Sequence, residues 1–347
     1  MSPDDDPLIV RAARGQDVRR PPVWFMRQAG SHFAEHQEIY QEHGVRGITS
    51  NPGRNTKVSL LPVEILDVDA AVMYADIILP LEDMGISFHY GEGETGPIIH
   101  NPIERPGDVE KLRVLDPERG VPYILESIRR VREALAPEKG LIGFSGGPFT
   151  LAGYMIEGGA SRTFPVTKRF MHTYPDAFGR LMDRLAESII RYLKQQVQSG
   201  IDLIQIFDSW IGVLAPSDFR RWVLPTLKKI FRSLETTDTP RILFGTDIAG
   251  LLPDYLSVDA EVHSVDWRID LQKLRKQFGD QYVIQGNLDP SRLFSPKQSL
   301  KNTTQRMLEA MKPFRGQIAN LGHRIPLNVD VDALKTVVST VKNFSYE

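Results

Sequence analysis

The sequence contains no cysteine. That absence removes disulfides, thiolate metal sites and every mechanism built on a cysteine nucleophile. No stretch approaches the ~18 uninterrupted apolar residues that a membrane helix requires. The opening MSPDDDPLIV is acidic and lacks the apolar stretch of a signal peptide. A cytoplasmic address with no membrane partner is therefore the expectation. Charge of one sign is also missing, since 42 Lys and Arg stand against 44 Asp and Glu for a formal net charge of -2. Without an overall basic field or a basic patch, no nucleic-acid partner is expected. What is present is apolar mass: 41% of the 347 residues are hydrophobic, enough for one large barrel or two ordinary domains.

Short β-rich runs recur along the chain, each ending in polar residues and most followed by a helical pattern. They fall at 23–26, 70–76, 141–146, 202–208, 241–246, 261–267, 282–287 and 318–323. Most are continuously apolar, as strands covered on both faces are. Between 176 and 200 the helical signal is clear, with Phe178, Leu181, Met182, Leu185, Ile189, Leu193 and Val197 on one stripe. Thr173 and Asp176 are spaced as a capping box and Gly200 as a stop. Eight strand–helix units in one chain predict an α/β fold, a single-domain (β/α)8 TIM barrel over 1–347 with 1–6 as a flexible tail; an open doubly wound sheet is the alternative. Active sites of barrels collect at the C-terminal strand ends. Those ends hold Arg27, Asp76, Ser145, Asp208 with Ser209, Asp247, Asp266, Asn287 and His323.

Other constellations are weaker. His32 and His36 are four residues apart with Glu35 between them and His43 beyond, a spacing a metal could use, although a solvated polar face is the expected reading. The stretch GFSGGPFT follows a strand but lacks the Gly-Lys-Ser/Thr ending of a phosphate loop and the spacing of a dinucleotide fold. Its glycines are expected to let a substrate approach the backbone.

The segments PPVWFMRQAG, YAD, GFSGGPFTLAGYMIEGG, FDSWIG, QGNLDP and NLGH occur in this order. From about residue 7 to 345 the chain resembles the uroporphyrinogen decarboxylases. The resemblance implies a (β/α)8 barrel, usually a homodimer, that removes CO2 from the four acetate side chains of a porphyrinogen without metal or organic cofactor. It places Asp76 opposite the pyrrole N–H groups at the macrocycle centre, where a carboxylate stabilises the ring cation; on the residues alone, a helix N-cap is the expected reading of Asp76. Arg27 is implied to bind the departing acetate or to supply or relay the proton, and a planar guanidinium suits a carboxylate. Tyr154, Ser209 and His323 match positions that hydrogen-bond substrate carboxylates, and Gln28 and Phe144 are counted with the substrate-binding set. Barrel relatives that transfer methyl groups use zinc held by cysteine and histidine, which a chain without cysteine cannot supply.

The chain also departs from the family pattern. Where the family usually reads Arg-Gln-Ala-Gly-Arg-Tyr, this chain reads Arg27, Gln28, Ala29, Gly30, Ser31 and His32, and Ala34 stands at a usual proline. Tyr40 and Glu64 replace basic residues, while Arg324 follows His323 where glycine is usual. Loss of one charged partner to a substrate carboxylate typically costs ~2 to 5 kcal/mol. Two readings follow: an active decarboxylase, with Arg324 covering for position 31 or with a different tetrapyrrole as substrate, or a tetrapyrrole-binding protein without turnover.

Overall fold

The computed structural model describes residues 6–30, 32–91 and 96–346. Among the described residues there are nine strands: β1 (Ala70–Val72), β2 (Phe88–Tyr90), β3 (Pro97–Ile99), β4 (Gly140–Gly146), β5 (Leu203–Phe207), β6 (Arg241–Phe244), β7 (Val262–Ser264), β8 (Val283–Leu288) and β9 (Gly316–Leu321). Seven of them form one curled parallel sheet in the order β1-β4-β5-β6-β7-β8-β9. All seven coincide with runs expected from sequence. The hairpin β2/β3 was not expected and pairs Phe88 with Ile99 and Tyr90 with Pro97.

The run at 23–26 does not become a regular strand, so eight strands are corrected to seven plus a single bridge, Val23 to Ala319. Pro21 and Pro22 have no N–H to give a ladder, and Arg27 turns the chain away with φ 56°. What remains is still tied on both sides. Ala319 N donates to Pro22 O at 2.8 Å, and Asp69 N, just before β1, donates to Val23 O at 2.8 Å. The Asp69 carboxylate, gripped by Arg20 in two bonds of 2.8 Å, accepts Val23 N at 2.8 Å. The two edge strands are thereby joined through 22–24.

Inside the curl lie Trp24, Met26, Ala70, Ile142, Leu203, Ile242, Phe244, Val262, Val283 and Ile318. The helix Leu8–Ala13 stoppers this space from the N-terminal side with Ile9, Val10, Ala12 and Ala13. It sits so close that a Cβ at Gly140 would lie 2.5 Å from Ile9 Cγ2, which is why β4 opens on glycine. A polar layer crosses the interior: Trp24 Nε1 donates to Gln285 Oε1 at 3.0 Å, and Gln285 Nε2 donates to Ser264 Oγ at 2.9 Å. Buried polar groups paired in this way fix one register of the strands.

Outside, the helix Pro175–Gln198 buries Phe178, Leu181, Met182, Leu185, Ile189 and Leu193, with Val197 partly buried. Thr173 is not its cap, because it ends the preceding helix Pro165–Thr173 and Pro175 occupies the first turn. Gly200, at φ 109°, does turn the chain toward β5. β1 stops at Val72, leaving the Phe144 peptide without a ladder partner on that side. Gln196 supplies one, accepting Phe144 N and donating to Phe144 O, each at 2.9 Å. Of the expected tail, residues 1–5 lie outside the described residues, and Asp6 accepts Arg14 Nη1 at 2.6 Å.

Candidate active site

Arg27 stands where the first apolar run ends, exposed, in a left-handed backbone conformation uncommon for a non-glycine residue. Its neighbour Gln28 holds the turn. Gln28 is buried, its Oε1 accepts Phe25 N at 3.1 Å and its Nε2 donates to Ala70 O at 2.9 Å. Its side-chain amide therefore ties the Arg27 turn to the start of β1 and is engaged by backbone. Among the described residues no carboxylate closes an ion pair on Arg27.

Asp76 follows β1 and is half-buried. Its Oδ1 accepts Ile78 N at 3.2 Å, so the capping geometry foreseen as an alternative is present in a two-residue form. Burial pushes the carboxyl above the ordinary aspartate range, against the Ile78 and Ile77 N–H groups, the Arg27 charge and the Tyr90 hydroxyl. Three tyrosines feel this carboxylate: Tyr74, Tyr90 and Tyr154. Tyr154 lies on the helix Pro148–Glu157 with its ring 4.7 Å from that of Trp210. Burial and the Asp76 charge push its hydroxyl up to about 12, opposed by Arg27 and Arg324.

Asp208 explains the placement of that helix. Wholly buried at the end of β5, it accepts Thr150 N at 2.7 Å and Phe149 N at 3.4 Å. Burial pushes it up to about 6, opposed by these N–H donors. Asp208 is thus a helix cap beneath the mouth. Ser209 beside it is half-buried, its carbonyl accepting Thr246 Oγ1 at 2.5 Å.

Aromatic rings form a wall along successive strand ends. Phe144 meets Phe207 at 5.5 Å, Phe207 meets Phe244 at 5.7 Å, and Phe244 meets His323 at 6.0 Å. His323, half-buried, is lowered to about 4 by burial and by the charges of Arg27, Arg324 and Arg268. It is a neutral imidazole among cations. Arg268 lies over the Trp267 ring at 4.1 Å and pairs with Asp247 at 2.8 Å. Arg324 is exposed, and its charge acts on Tyr154 and His323 together.

Ser31 lies outside the described residues. Its neighbour His32 shares a hydrogen bond of 2.8 Å with the Gln28 carbonyl. The solvated face expected for His32 and His36 is corrected: His36 is only 5% exposed, with its ring 5.9 Å from Tyr40 and 5.4 Å from Tyr74. Neither ring nitrogen of His36 has a hydrogen-bond partner, and burial lowers it to about 4 with the His32 charge adding. Among the described residues no group of three or more His, Cys, Asp or Glu is placed to hold a metal.

The charge of Arg27 reaches Asp76, Tyr154 and His323, and that of Arg324 reaches Tyr154 and His323. Sequence reasoning missed Phe207, Tyr90 and Arg268. Phe207 could have been found as the last apolar residue before Asp208. Tyr90 gave no signal, because it belongs to the hairpin and not to a strand end.

The family model for uroporphyrinogen decarboxylase matches residues 4–344. The chain belongs to that family. Among its relatives, the uroporphyrinogen decarboxylase of Carboxydothermus hydrogenoformans is 41% identical over 98% of this chain and 97% of its own. That of Thermus thermophilus is 42% identical over 96% of this chain and 97% of its own. A methyltransferase structure from Methanosarcina mazei superposes with a TM-score of 0.82 over 98% of this chain and 99% of its own, at 22% identity, and shows a shared fold.

Proposed function

We propose that this chain is a carboxy-lyase that converts uroporphyrinogen to coproporphyrinogen in heme biosynthesis, releasing CO2 from each of the four acetate side chains without a cofactor. The observation that supports this is an exposed Arg27, with no carboxylate ion pair among the described residues, whose charge acts on a half-buried Asp76, in a chain that also sets aromatic rings along successive strand ends. A flat macrocycle lies against such a wall, with its pyrrole N–H groups toward the carboxylate and an acetate toward the guanidinium.

The chemistry follows from that placement. A proton added to a pyrrole carbon makes the ring cationic. The bond between the acetate methylene and its carboxylate then breaks, CO2 leaves, and the electron pair moves into the ring. Protonation of the freed methylene and loss of the ring proton restore the pyrrole with a methyl group, one proton being consumed for each CO2. Asp76 stabilises the intermediate cation, most strongly where water is displaced. Arg27 holds the reacting carboxylate, while Ser209, His323 and Arg324 hold others, His323 as a neutral donor. Tyr154, whose hydroxyl stays protonated, donates on the same side.

In the same reading the seven strands and the 22–24 segment make up one (β/α)8 barrel domain over 1–347, and the chain works in the cytoplasm as a homodimer with no nucleic-acid or membrane partner. No helix among the described residues is long and apolar enough to cross a membrane. The test is anaerobic incubation of the purified protein with uroporphyrinogen I and III, with products resolved by carboxylate number. Stepwise loss of four carboxylates is expected. Tight binding with no CO2 released would instead make the chain a tetrapyrrole carrier.

A further inference from the structure

The β2/β3 hairpin has two unlike faces, because side chains alternate along a strand. Phe88, Pro97 and Ile99 are buried, whereas Ser87, His89, Ile98 and His100 are exposed. His89 stands opposite Ile98, and the ladder runs one step further, since His100 N donates to Ser87 O at 2.9 Å. His89 and His100 are therefore diagonal neighbours on the outer face, within reach of each other. The backbone beneath them is fixed. Asn101 Oδ1 accepts Ser87 N at 2.8 Å and Ser87 Oγ at 3.1 Å, and Asn101 Nδ2 donates to Gly85 O at 2.9 Å. Ile99 N donates to Gly158 O at 2.8 Å, which ties the hairpin to the body of the chain.

On that frame the two imidazoles meet ring to ring. His89 Nδ1 and His100 Nε2 share a hydrogen bond of 3.1 Å, with the ring centroids 4.8 Å apart and the planes 17° apart. One nitrogen carries the proton and the other offers its lone pair, so two ligating atoms converge on one point. With metal–nitrogen bonds of about 2.0 to 2.1 Å, two nitrogens on one ion lie about 2.9 Å apart at a right angle and about 3.3 Å apart at the tetrahedral angle. The observed 3.1 Å lies between these. Histidine χ2 is a broad torsion and both rings are exposed, so a modest rotation turns both lone pairs onto an ion. The ring that held the shared proton takes its other tautomer. Among the described residues no third His, Cys, Asp or Glu joins the pair, so water completes the coordination shell. Imidazole donors select Ni2+, Cu2+ and Zn2+ over Mg2+ and Ca2+, which take oxygen.

We propose that the outer face of the β2/β3 hairpin is a two-histidine site for one late first-row divalent metal ion, held by His89 Nδ1 and His100 Nε2. The ion staples the two strands across a face that has no apolar packing of its own, while Phe88 and Ile99 on the other face belong to the core. The site stands apart from the decarboxylase reading. Neither histidine belongs to the residues assigned to the porphyrinogen, and the ion takes no part in the release of CO2.

The test titrates the full chain, first dialysed against a chelator, with the chlorides of Ni2+, Cu2+ and Zn2+ at pH 7. One ion per chain is expected, with Cu2+ bound most tightly. The electron paramagnetic resonance of bound Cu2+ shows coupling to two imidazole nitrogens. His89→Gln and His100→Gln each weaken binding by about tenfold or more, because the second nitrogen is then no longer held beside the first, and leave one coupled nitrogen. Histidine also stands beside a carboxylate at His43 with Glu42, 3.4 Å, and at His172 with Asp218, 3.7 Å, so His43→Gln and His172→Gln serve as controls and leave the affinity unchanged. A local readout separates the staple from binding elsewhere: at free Zn2+ of about 100 times Kd, hydrogen exchange at the His100 N–H slows by up to about a hundredfold in the parent and not in His89→Gln. Parental affinity with two coupled nitrogens in both His89→Gln and His100→Gln overturns the inference. So does a parent that binds Cu2+ through a single nitrogen, which would leave the His89–His100 contact as a plain hydrogen bond.

Discussion

Replacement of Asp76 by asparagine separates the turn that its side chain caps from the role proposed for its charge in decarboxylation. The asparagine Oδ1 can still accept Ile78 N, now at 3.2 Å from Asp76 Oδ1, so the local turn survives. What is lost is the negative charge that the proposed mechanism sets against the pyrrole nitrogens. For unit charges about 4 Å apart at an effective dielectric constant of about 20, the interaction is ~4 kcal/mol, which corresponds to a rate loss of about a thousandfold. Stability moves the other way. The folded-state carboxyl of Asp76 lies above its ordinary value because of burial, so folding favours its protonated form. That contribution is fully present below the unfolded value of about 3.9 and is lost as pH rises through the folded value. At neutral pH the parent therefore carries a buried charge that Asp76→Asn does not, and the variant should melt no lower than the parent. Turnover is followed anaerobically on uroporphyrinogen III, and folding by thermal melting at pH 7. A well-folded variant with a near-parental rate removes Asp76 from the mechanism. A large fall in melting temperature shows that its charge is a structural requirement.

If Arg324 has taken over a carboxylate once held by an arginine at position 31, Arg324→Gly weakens substrate binding and Ser31→Arg in that background restores much of it. The coupling in a double-mutant cycle is expected to be on the order of 1 kcal/mol or more, and additive effects on uroporphyrinogen affinity would sink the relocation. His36→Phe removes two buried, unpaired ring nitrogens and should leave stability at pH 7 unchanged or raise it by ~1 to 3 kcal/mol. Because folding lowers His36 from 6.5 to about 4, its neutral form supplies stability present above pH 6.5 and lost as pH falls toward 4. The variant should show less of that acid loss in urea unfolding at pH 7 and 5, and an identical slope would refute the assignment. Exhaustive dialysis against a chelator should leave turnover unchanged, and inactivation reversed only by added metal would point back to His32 and His36.

The sheet was legible because parallel strands covered on both faces write themselves as apolar runs, and all seven regular strands lie at such runs. The eighth failed as a strand for a reason also present in the sequence. Two prolines precede it, and Arg27 leaves it in a left-handed turn. Arg27, Asp76, Tyr154 and His323 were legible as strand ends or family motifs, and the Arg27 charge acts on the other three. Tyr90 was not, since nothing in an isolated Phe-His-Tyr run reveals that a hairpin folds its third residue back toward β1. The burial of His36 was missed for a related reason. Its helix, Ala34–Thr49, is mostly polar, and the Tyr74 ring that covers it comes from a separate segment.

The charge at the mouth has a bearing on turnover as well as on binding. Arg27, Arg268 and Arg324 all press on His323, and the wall beside it is aromatic and uncharged. Such a field favours a ligand by the number of carboxylates it carries, each worth a fraction of a kcal/mol to a few, according to its exposure. Every CO2 released takes one negative charge from the ligand and none from the protein. If these cations hold the substrate as proposed, they hold each successive product less firmly, and the last product least. On this argument the loss of an arginine at position 31 need not be a defect: it weakens capture of the substrate, but it also weakens retention of partly decarboxylated rings, and the site can lose a cation while its release of product improves.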